Sequence, residues 1–149
     1  YLRFLLKKQP KYWDPYEFIE SKVFDCRIDL LSERRLKDIN IDDIAKKRRN
    51  LYFIWEKFAI RKNITPVFSK LNDGAIPLVF PAYVLDVSKR RSWFNWGWKN
   101  RYNIHSWPTL PKLVIQENRP GFAQWGKLIC FPIDLSMDVD LLEKKLSKL

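Results

Sequence analysis

An α/β or α+β layer, a small sheet flanked by helices, is the fold class this sequence predicts, and three observations carry it. Apolar residues fall on one helical face over 44–59, at steps of three, four or seven, and again over 139–149. Between those stretches lie two apolar runs that read as strands, 76–85, broken by Pro77 and Pro81, and 128–133. With 149 residues, 46% of them apolar and 15% aromatic, the chain has enough material for the core of one domain.

In chain order, Tyr16, Ile19, Val23, Cys26 and Leu30 fall at helical spacing, predicting an amphipathic helix from residue 15 to about residue 31. Asn40 is placed to cap a second helix, with Asp42 and Asp43 in its first turn against the positive end of the helix dipole. Ile44, Leu51, Trp55, Phe58 and Ala59 form its apolar stripe, and Lys46, Lys47, Arg49, Asn50 and Lys57 its solvated face. Asn72-Asp73-Gly74 signals a turn. The run 76–85 is then a strand, and Pro77 and Pro81, which lack the N–H donor, put it at a sheet edge or a bulge.

Asp86 or Ser88 caps a third helix carrying Lys89, Arg90, Arg91, Trp93, Phe94, Trp96 and Trp98, in which Gly97 is the weak position. A short strand over 103–107 leads into Pro108-Thr109-Leu110-Pro111, where two prolines force an extended loop. The run 128–133 is a buried strand. Ser136 caps the last helix, Asp138 and Asp140 suit its first turn, and Val139, Leu142, Leu146 and Leu149 mark its buried face.

Net charge is +11, which invites a nucleic-acid reading because clustered cations release counterions from phosphates. The excess is shared between the two halves of the chain, however, so neither half is a basic tail, and no nucleic-acid-binding motif accompanies it. The opening YLRFLLKK is too short and too basic to span a bilayer, and Lys7, Lys8, Gln9 and Pro10 interrupt any signal-peptide pattern. The chain therefore reads as cytoplasmic, with no membrane partner, and Tyr1 in place of Met reads as a truncation. Cys26 and Cys130, the two cysteines, suit reduced packed thiols better than a disulfide framework.

Catalytic constellations are lacking. His105 is the single histidine, with no GxSxG elbow beside it, and Gly74, Gly97, Gly121 and Gly126 are too scattered to cradle a phosphate. No metal site is expected, because helix capping already accounts for Asp134, Asp138 and Asp140. The SWFNWGWKNRYN segment has the mix of rings and cations that stacks on bases or sugars, but rings of this size more often fill a core. His105 and Trp107 flank the strand-to-loop junction, from which side chains can reach a neighbouring cleft.

Three segments together resemble the carboxy-terminal region of the DegT/DnrJ type of sugar aminotransferases, which are fold-type-I pyridoxal-phosphate enzymes. The first is IDDIAKKRRN, with Arg48, Arg49 and Asn50 at the matching positions. The second is IPLVFPAYV followed by NIHSWPTLP, in which Trp-Pro-x-Leu-Pro is the most specific element. The third is KLICFPIDLSMDVDLLEKKL, similar to the family's closing strand and helix. Together they span roughly residues 32–149, and the departures, at Asn103, at Asp134-Leu135 and in the aromatic segment, fall where loops commonly set specificity.

The resemblance implies that residues 1–40 connect to a preceding large domain and that 41–149 form the carboxy-terminal small domain. It implies an enzyme that moves an amino group from an amino-acid donor to a nucleotide-linked keto sugar in amino-sugar biosynthesis, as a homodimer. Pyridoxal phosphate would be bound mainly by the preceding domain, through a lysine Schiff base, so this chain would hold no catalytic residue and alone be inactive. His105 and Trp107 would be substrate contacts. Two other readings stand beside it: a nucleic-acid-binding module, and a catalytically dead interaction domain of the same fold.

Overall fold

The computed structural model describes residues 28–107, 110, 115–117 and 120–149. Their order is α1 (Leu30–Lys37), α2 (Ile41–Arg61), β1 (Thr65–Pro66), β2 (Val79–Tyr83), α3 (Val87–Lys99), α4 (Pro120–Lys127), β3 (Leu128–Pro132) and α5 (Val139–Ser147). The strands make one antiparallel sheet in the order β1-β2-β3, and the helices flank it, so the fold is α+β. Most of the helix expected over 15–31 lies outside the described residues. Its last positions belong instead to α1, because Asp29 is extended and accepts from the Leu31 and Ser32 N–H groups as an N-cap.

Side-chain oxygens start the helices. The Asn40 carbonyl accepts from Asp42 and Asp43 at the head of α2, as its sequence position predicts. Asp86 rather than Ser88 caps α3, with Ser88 bonded to it through both N–H and hydroxyl. Ser136 does not cap α5. Its N–H is taken by Asp134 in a turn closed by the Met137 N–H on the Asp134 carbonyl, which leaves Asp138 as the cap. Leu142 and Leu146 of α5 are buried and Val139 packs beside them, but Leu149, expected on the same face, lies past the helix end and is exposed.

Two residues past the ends of α2 and α3 stand residues with positive φ, Asn63 at 56° and Arg101 at 63°. In each case the following N–H reaches back, Ile64 to the Ala59 carbonyl at 2.9 Å and Tyr102 to the Gly97 carbonyl at 2.8 Å, which reverses the chain toward the sheet. The second reversal explains Gly97. A Cβ there would stand 2.8 Å from Ile104 Cγ1 and 2.8 Å from the Tyr102 oxygen. What looked like a weak helix position is the point where the chain folds back onto its own helix.

Strand β2, expected at an edge because of its prolines, is central. Pro81 pairs with Cys130 on the β3 side, where no ladder bond falls, and its carbonyl faces β1 and accepts from the Val67 N–H at 3.1 Å. The missing N–H therefore points at the place where two-residue β1 ends. Segment 103–107 forms no strand beyond a single bridge of His105 to Cys130. Helix α4 was not anticipated, and it runs directly into β3.

The core lies between α2 and the sheet. Leu51, Trp55, Phe58 and Ala59 are fully buried or nearly so, matching the expected stripe, and Ile44 is half-buried. Trp55 packs on Phe131 with centroids 4.9 Å apart and on Tyr102 at 5.1 Å, while Phe58 stacks on Trp96 at 5.3 Å. Rings of α3 thus complete the core, the bland alternative for the SWFNWGWKNRYN segment. The expected solvated face of α2 holds for Lys46, Asn50 and Lys57, but Arg49 donates to the Asn72 and Ala75 carbonyls and, with the neighbouring Arg48 on the Pro77 carbonyl, fastens the loop ahead of β2. Near the carboxyl end, Arg61 donates to the Leu146 carbonyl at 3.0 Å and Lys62 to that of Leu149, so α2 supplies cations to the negative end of α5.

Two outcomes follow for stability. Gly97→Ala gains about 1 kcal/mol of helix propensity but overpacks Ile104 and Tyr102 at a cost of about 1–3 kcal/mol, so urea denaturation should show a net loss; a stabilised variant would mean that Ile104 gives way. At acid pH, the Ser136 N–H, the Ser136 hydroxyl, Lys47 and Arg48 hold the Asp134 carboxyl below its ordinary 3.8 against a smaller opposing effect of burial. The stabilisation is thus complete above that value and lost as pH falls through the lower folded-state pKa. Asp134→Asn keeps the turn acceptor without the titration, so its denaturation midpoint should fall less than the parent's between about pH 5 and about pH 3; an equal fall would exclude Asp134 from the acid limb.

Candidate functional site

The candidate residues sit on the outer edge of β3. Alternation along an antiparallel ladder turns the main-chain groups of residues 128, 130 and 132 away from β2. At the middle one, His105 and Cys130 exchange both bonds, His105 N–H to Cys130 at 3.1 Å and Cys130 N–H to His105 at 2.7 Å. Ile104, buried beside Gly97, anchors the segment from the inside.

The His105 ring is half-buried, and its Nδ1 lies 2.9 Å from the Asn103 carbonyl. A carbonyl can only accept, so Nδ1 carries the hydrogen and Nε2 of the neutral ring is left as an acceptor. Two residues on, Trp107 is 48% exposed. Its carbonyl accepts from the Trp125 indole N–H at 3.2 Å and the Ser106 hydroxyl at 3.3 Å. Of the Trp-Pro-x-Leu-Pro loop that follows, only Trp107 and half-buried Leu110 are among the described residues.

Arg90 and Trp125 join this place without having been singled out for it. Arg90 donates from Nε to the Leu128 carbonyl at 3.1 Å, two residues along β3 from the His105 bridge and so about 7 Å away. Its guanidinium lies 5.1 Å from the Phe94 ring centroid and 5.3 Å from that of Trp125, and Trp125 stacks on Phe122 at 6.0 Å. Pro120 in the first turn of α4 was the available signal, since the missing N–H costs nothing there. Arg48 and Arg49, the positions that match the family pattern, serve the 72–77 loop instead, and Asn50 is exposed.

A Schiff-base cofactor needs a lysine amine that is neutral enough to react, a partner for the pyridine nitrogen and a phosphate cradle. Among the described residues no lysine is buried, and no charged or polar residue is. Among the same residues no three His, Cys, Asp or Glu side chains gather as metal ligands, and no helix is long and apolar enough to cross a membrane. Searches of protein-family models, of curated proteins and of solved structures each return no match for this chain.

Cys130 is fully buried with a free thiol. Burial pushes the thiol up to about 11, against the opposing pull of Arg90, so the nucleophilic thiolate is scarce at neutral pH. In a Cys26→Ser variant, a colorimetric disulfide reagent should leave Cys130 unmodified in native buffer at neutral pH and titrate it fully in denaturant; rapid native reaction would contradict its closed position.

Proposed function

We propose that this chain forms the carboxy-terminal small domain of a pyridoxal-phosphate-dependent sugar aminotransferase of the DegT/DnrJ type, working as a homodimer in amino-sugar biosynthesis. The observation that carries the reading is the His105–Trp107 segment: it is pinned to the sheet edge and exposes an indole at the start of the Trp-Pro-x-Leu-Pro loop. Helix α1 supports it as well, since none of its residues is buried and Leu30, Leu31 and Leu36 are exposed, as suits a connection toward another domain.

In this reading the cofactor's lysine and phosphate cradle belong to a domain preceding residue 1. Pyridoxal phosphate, when bound there, supplies an electron sink for amino transfer. The small domain walls one side of the cleft: His105 Nε2 accepts from a sugar hydroxyl and the Trp107 ring stacks on the apolar face of the sugar. The nucleic-acid alternative is weakened by the packing of Trp93, Phe94 and Trp96 against the core, which withdraws much of their ring surface from bases.

The native polypeptide should have an intact mass well above the 18.0 kDa of these residues. Purified in that form, it should transfer an amino group from glutamate to a nucleotide-linked keto sugar, while the 149-residue chain alone forms no lysine–cofactor adduct. His105→Ala should lower kcat/KM about tenfold, the loss of one hydrogen bond near the upper end of its usual value. A native mass of 18.0 kDa would sink the reading in favour of a stand-alone interaction domain.

A further inference from the structure

We propose that Trp125 and Arg90 are positioning residues that hold the Trp107 end of the 105–107 segment against α4 and so fix where its exposed indole stands. Their bearing on function rests on the reading that His105 and Trp107 face substrate; the geometry itself does not.

The segment is held at two points, both referred to β3. At its start, His105 exchanges two main-chain bonds with Cys130. At its end the hold is made of side chains: the Leu128 carbonyl takes the Arg90 Nε–H, the Arg90 guanidinium lies over the Trp125 ring, and the Trp125 indole N–H reaches the Trp107 carbonyl. Phe94 and Phe122 support the guanidinium and the indole respectively. Each residue type is needed for its part. Lysine has neither a planar face nor a secondary N–H within its side chain, and phenylalanine offers an aromatic face without the indole donor. Trp107 is half exposed, and through its carbonyl these contacts tie its main chain to α4.

The test uses the full 149-residue chain labelled with 5-fluorotryptophan, with the Trp107 fluorine resonance assigned by Trp107→Phe. Trp125→Phe should move that resonance more than half of the way to the free amino-acid position while melting stays cooperative. Arg90→Lys should move it in the same direction. Trp96→Phe, a core substitution, should lower the melting temperature and leave the Trp107 line in place, which separates positioning from a general loss of stability. If Trp125→Phe fails to fold, Arg90→Lys carries the test. A Trp107 line unmoved in the folded variants would overturn the proposal. Should the fluorine shifts appear while the native polypeptide shows no nucleotide-sugar amino transfer, the positioning role stands and the functional reading falls.

Discussion

A single buried hydrogen bond ties the two halves of the domain together: the Trp55 indole N–H donates to the Pro132 carbonyl at 2.8 Å across 77 residues of sequence. Trp55 is fully buried in the middle of α2, and Pro132 closes β3. Neither partner could be left alone there, because an unsatisfied donor or acceptor in a dry interior costs about 1–3 kcal/mol. The bond therefore fixes both the rotation of α2 about its axis and the height of β3 against it. The rings of Phe58, Phe131 and Tyr102 pack around that fixed point.

The same bond belongs to a pattern that governs the outer edge of β3. An uncovered strand edge is a template for unwanted pairing, and here each outward position is occupied. Leu128 gives its carbonyl to Arg90, Cys130 exchanges both groups with His105, and Pro132 has no N–H and gives its carbonyl to Trp55. The opposite edge is two residues long and includes Pro66, which has no donor to offer. Closing the sheet by side chains rather than by a fourth strand brings Arg90 and His105 onto neighbouring points of one strand. The candidate site is a consequence of how this edge is sealed.

Local chemistry was legible in the sequence, and pairing across distance was not. The stripe of α2, the Asn40 cap and the buried run at β3 depend on residues within a turn or a strand of one another, and all three are found where the spacing puts them. The apolar-periodic run after Ser136 marks it as a cap, but the helix begins only at Val139, so Asp138 takes that place and Ser136 falls in the turn made by Asp134. The central place of β2 was hidden because the cost of a proline depends on which neighbour its missing N–H would meet, and that neighbour, β1, lies outside the strand's own sequence. Gly121 and Gly126 disguised α4, and with it Trp125. In the site, His105 and Trp107 could be picked from their place before the prolines. Arg90 meets Leu128 across 38 residues and Trp125 meets Trp107 across 18, contacts no periodicity records.

The charge of +11 takes on a different meaning once the cations are located. Arg48 and Arg49 hold the loop before β2, Arg61 and Lys62 cover the carbonyl end of α5, and Arg90 lies between two rings. These cations are bound to the protein's own carbonyls and π faces, where guanidinium is favoured for its planar fork and weak hydration. A nucleic-acid groove needs cations that remain available to phosphate along a common track. These five instead fasten loops, a helix end and the edge of β3, so a positive net charge is not by itself a track for phosphate.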